Sequence, residues 1–209
     1  MIFDKLKEAL ATHRTVVKEG FKEFQKVRDE LTDMYTLKYS REQINKAKEK
    51  YDQVVWESEL EVRKTVKEIL GELKSRITEV ASKPIDPDFI PTLAVIDRMK
   101  DPTKLEIDQM VGKFKNNYVC YRAVCDSVGG AIKGYSSIKL EDVLKRCDQV
   151  EDKVNRALKG DVDGYSYRML VDSIVLDNYA GFFEDFFAGS FDEITEALSK
   201  EKKNKNFVE

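Results

Sequence analysis

The chain has 209 residues, with 36 Lys and Arg against 39 Asp and Glu, a net charge of −3, and only 10 Gly and 4 Pro. High charge with few turn residues points to helix and away from a turn-rich β fold. A single His excludes any site that needs two from one chain, and a mildly acidic balance argues against a nucleic-acid partner.

The charge is unevenly spread. Residues 1–83 carry 18 basic and 16 acidic side chains, and residues 84–200 carry 15 and 21. No window is apolar for long enough to span a membrane, so no membrane partner is expected. The first residues turn amphipathic at once, unlike a secretory signal. The three cysteines, Cys120, Cys125 and Cys147, read as reduced thiols of an intracellular protein. The expected location is the cytoplasm, or a virion if the gene is prophage-encoded.

In chain order, Phe3, Leu6, Leu10, Val17, Phe24, Val27, Leu31 and Met34 keep the helix period, with Gly20 as the weak spot. Ser40 and Gln43 fit a capping box, which predicts a second helix from Arg41 to Ser82 after a turn near Tyr39. Ile44, Ala47, Tyr51, Val54, Ser58, Val62, Val66, Ile69, Leu73, Ile77 and Val80 carry that helix. Long steps around Ser58, Val62 and Val66 break the strict seven-residue repeat. The two helices are expected to form an antiparallel, coiled-coil-like hairpin over 1–83, its outer faces a solvated, charged surface.

Pro84, Pro87 and Pro91 make 84–91 a stiff connector and the expected domain boundary. A compact helical domain over 92–200 should follow. Its helices are expected at Thr92–Met99, after an Asp101-Pro102 start, from Tyr118 to Ile132, and from a Ser136 or Ser137 cap to Leu158. An apolar stretch, Tyr165–Ala188, and a last helix near Phe191–Lys200 complete it, before a frayed polar tail over 201–209. The fold class is all-α: a long helical hairpin plus a compact helical domain.

Catalytic chemistry has few candidates. His13 lies between Leu10 and Val17 without a marked nucleophile or orienting group, and reads as a packed or surface histidine. Zinc would need more ligands than one His and three scattered Cys supply. Asp161-Val162-Asp163-Gly164 starts like a calcium loop but lacks the later acids. Glu30 with Asp33, and Glu49 with Asp52, each place two acids one helical turn apart. This spacing loosely resembles helical Mg-dependent nucleotide pyrophosphohydrolases, the rival enzymatic reading. The expectation is nonetheless no catalytic residue, no cofactor and no metal. The least ordinary feature is aromatic: Tyr179, Phe182, Phe183, Phe186 and Phe187 share one helical face. It reads either as domain core or as an interface for a partner. Gly181 and Gly189 beside it would permit close backbone approach.

The segment 103–118 (TKLEIDQMVGKFKNNY) resembles short helical elements of small prophage-encoded proteins. The Glu/Lys-rich hairpin before it is similar in style to phage scaffolding or minor structural proteins. The likeness covers about a third of the chain and carries over no functional residue. It implies a non-enzymatic assembly role, with self-association or other structural proteins as partners. A regulatory binder of helical peptides, using the Phe182–Phe187 face, is a further alternative.

Overall fold

A computed structural model describes residues 2–34, 37–128, 132, 138–158, 174–191 and 194. Seven α-helices and one 3₁₀ turn account for most of them, and no strand occurs among the described residues. The helices are α1 (Asp4–Met34), α2 (Leu37–Ala81), α3 (Phe89–Ile96), α4 (Lys104–Val111), α5 (Tyr118–Ser127), α6 (Leu140–Leu158) and α7 (Ile174–Ala188). The chain is all-α. It divides into two compact units, one of residues 1–71 with 151–176 and one of 72–150 with 177–209. The division falls inside α2, α6 and the first turn of α7, and the proline segment lies within the second unit.

In the first unit, α1 and α2 pair antiparallel. His13 Nδ1 meets Ser58 Oγ at 2.9 Å, Gly20 abuts the Tyr51 ring, and Ser40 Oγ donates to Leu31 O at 2.7 Å. From the first contact to the second, both helices advance by seven residues. From the second to the third, both advance by eleven. Heptad and eleven-residue steps together keep two nearly straight helices in register. Gly20 supplies the notch for Tyr51: a Cβ there would stand 3.0 Å from the ring. Phe24 stacks on Tyr51 with centroids 6.1 Å apart.

Ser40 does not cap α2. That helix starts at Leu37, 45 residues long and about 68 Å at the standard rise, so Tyr39 lies inside it and not in a turn. The Ser40 hydroxyl instead serves one of the last carbonyls of α1, which a helix end leaves without an internal partner. Ser40 is buried accordingly.

Burial in this unit is concentrated where the hairpin meets α6. Phe3, Leu6, Leu10, Val62, Val66, Val154 and Leu158 are all buried, and Arg63 donates to Asn155 Oδ1 between α2 and α6. From residue 14 to residue 61, Ser40 is the only buried residue among those described.

In the second unit the proline segment is docked. Asn117 Nδ2 donates to Pro84 O at 2.9 Å, and Lys113 pairs with Asp88 at 3.0 Å. α3 starts at Phe89, earlier than Thr92, because Pro91 falls in the first turn, where the amide it lacks has no helical partner anyway. α4 is capped by Thr103, not by Asp101. Thr103 Oγ1 accepts from Glu106 N at 3.4 Å, and Thr103 N donates to the Glu106 carboxylate at 2.8 Å, a reciprocal capping box. Asn117 caps α5, its Oδ1 accepting from Val119 N at 3.0 Å. Along α6, Val143, Cys147, Val150, Val154 and Leu158 form the buried stripe. The expected caps at Ser136 and Ser137, the 161–164 turn, the helix beyond Ile194 and the tail lie outside the described residues.

Candidate functional site

The aromatic face of α7 is mostly covered within the second unit. Tyr179 and Phe182 are 7% and 8% exposed, and Phe183 and Phe186 are fully buried. Phe186 lies 5.9 Å from Tyr118 and 5.6 Å from Phe191, ring centroid to centroid. Arg146 lies over Phe182 at 4.9 Å. Only Phe187 is half-exposed, and Arg76 of α2 stacks on it at 4.0 Å. Such contacts hold a cationic side chain on an aromatic face. This packing leaves little of the face for a partner.

α7 ends in a Schellman turn. Gly189 N donates to Phe186 O at 3.3 Å and Ser190 N to Asp185 O at 2.9 Å, the two bonds of that motif. Gly189 has φ +82°, and a Cβ on it would stand 2.8 Å from Asn116 Cα. The close approach expected of Gly189 is therefore present. Gly181 has nothing within 4 Å of an added Cβ, so it serves no such approach.

The paired carboxylates are not brought together. The hairpin register puts Glu30 level with Arg41 and Glu49 level with Lys22, so the two pairs lie about 12 Å apart along the axis. Asp52 is paired with Lys48, and Glu30 with Lys26 at 3.9 Å. The Asp33 side chain lies outside the described residues. Among the described residues no group of three or more His, Cys, Asp or Glu is placed to hold a metal ion.

His13 is 3% exposed and packed against Ser58. Burial holds its pKa below the ordinary 6.5, partly offset by the Glu59 carboxylate. All three cysteines are buried thiols, and burial pushes Cys147 up to about 11. A thiol held protonated is a poor nucleophile. The recess lined by Val111, Phe114, Lys115, Cys120, Tyr121 and Val124 has no room even for a water molecule, far short of the ~300 Å³ at which ligand pockets begin. No helix among the described residues is long and apolar enough to cross a membrane.

Exposed apolar residues are what the hairpin offers. Phe21, Val27, Tyr39, Val54, Trp56 and Leu60 are 37–60% exposed, all on the stretch of α1 and α2 where Ser40 alone is buried among the described residues. Trp56, at 60% the most exposed of them, was hidden from sequence reasoning by its charged neighbours. The signal available was its four-residue spacing to Leu60. Comparison with protein families, with characterised proteins and with solved structures returns no match.

Proposed function

We propose that the protein is a non-enzymatic helical interaction and assembly protein that associates with itself through its hairpin, in the manner of a prophage structural or scaffolding component. The observation that carries this reading is the near absence of buried residues among those described between 14 and 61, on a stretch that displays six large apolar side chains. Single exposed apolar residues are ordinary on a protein surface. Six on one two-helix arm are different, because two helices alone bury too little to offset the ordering of so many residues. A partner's helices supply the missing burial. The half-buried seam of Phe24, Tyr51 and Ser58 fits this, since it excludes water from one side of each helix only. Sedimentation equilibrium of the full chain tests the reading. The expected result is a reversible species heavier than the 24.1 kDa chain. A strict monomer at all concentrations overturns it.

A further inference from the structure

The outer side of α2 carries a second stripe, turned away from the α1 seam. Glu49, Gln53, Trp56, Leu60, Arg63 and Lys67 follow one another at steps of four and three, and all six are exposed. That alternation is the spacing of a coiled-coil seam. The chemistry along it is ordered: acidic and polar first, apolar in the middle, basic last.

This order is self-complementary when reversed. A second α2 laid antiparallel, with the two-fold axis passing level with Ser58, sets Trp56 against Leu60 of the copy. Gln53 then meets Arg63 of the copy, and Glu49 meets Lys67. Each match occurs twice, as a two-fold interface requires. Glu49 and Lys67 make no ion pair or hydrogen bond among the described residues, whereas Arg63 is shared with Glu59 at 3.8 Å and with Asn155. The apolar centre lies where a coiled-coil layer excludes most water, and the opposite charges lie at its ends, where they set direction. A parallel pairing would put Glu49 on Glu49 and Lys67 on Lys67. Glu57, on the flank, faces its own copy in the antiparallel arrangement, a repulsion that keeps the association weak and reversible.

We infer that the partner of this hairpin is a second copy of the chain, docked antiparallel along the Glu49–Lys67 stripe of α2 and centred on Trp56 and Leu60. The inference rests on the self-association reading above and specifies its geometry. It is tested by sedimentation equilibrium of the full-length wild type, E49K, K67E and the double swap E49K/K67E, with helicity of each checked by circular dichroism. Each single swap should weaken dimerisation about ten-fold, since it turns two attractive contacts into two repulsive ones. The double swap should restore it. Trp56→Glu, a change at an exposed position, should leave a folded monomer. A wild type that dimerises with all four variants unaffected refutes this geometry and leaves self-association standing. A wild type that stays monomeric refutes both.

Discussion

Substituting Gly189 by Ala tests the end of α7 and the packing of the second unit together. Two costs arise from one methyl group. The residue sits at φ +82°, where an L side chain costs about 1–2 kcal/mol. The new Cβ also meets Asn116 Cα at 2.8 Å. That neighbour is backbone and cannot rotate away, so overpacking adds about 1–3 kcal/mol. A combined loss of about 3 kcal/mol lowers Tm by about 6–12 °C in a chain of this size. Gly181 on the same helix provides the control. Its added methyl meets nothing within 4 Å, and Ala in a helix interior gains about 0.5–1 kcal/mol over Gly. Thermal melts followed by circular dichroism should therefore move in opposite directions for G189A and G181A. If G189A melts with or above the wild type, the Schellman turn against Asn116 is wrong.

Three further outcomes are expected. With burial depressing the pKa of His13 below 6.5, the unfolded chain takes up its proton at a higher pH than the native one. Stability should thus be full above about pH 6.5 and fall as the pH drops through the native pKa. Melts between about pH 7.5 and 5 should show a slope that His13→Gln reduces, and an identical profile for both proteins would contradict the buried seam position. The three cysteines should resist a thiol reagent in the native state and all react in denaturant, while rapid native labelling would contradict their burial. Mg²⁺ should leave Tm unchanged. A rise abolished by Glu49→Gln would revive the carboxylate enzyme.

Helix type was legible because it is local. The stripes of α1, α2 and α6 follow directly from apolar spacing, and the antiparallel hairpin from a short break between two long helices. What escaped depends on neighbours distant in sequence. Ser40 carries a capping pattern, yet the hydroxyl found a carbonyl of α1 instead. Thr103 and Glu106 were also legible as a capping box, but Asp101-Pro102 offered a competing local start. The spacing of the α7 aromatics defines a face without saying what covers it, and Tyr118, Arg146 and Arg76 come from other helices. Whether Glu30 and Glu49 could meet depended on a register that neither helix states alone. Gly20 looked like a flaw in α1 until Tyr51 was placed beside it.

The exposed face of α2 carries its own probe. Trp56 is the single Trp of the sequence, so its emission reports that face alone. Fluorescence of the wild-type chain over a dilution series, with acrylamide quenching at each concentration, is the most direct measurement. The indole should be water-exposed and readily quenched in dilute solution, and should shift to the blue and become protected as concentration rises. An emission and quenching profile that stays that of an exposed indole throughout would contradict self-association through this face.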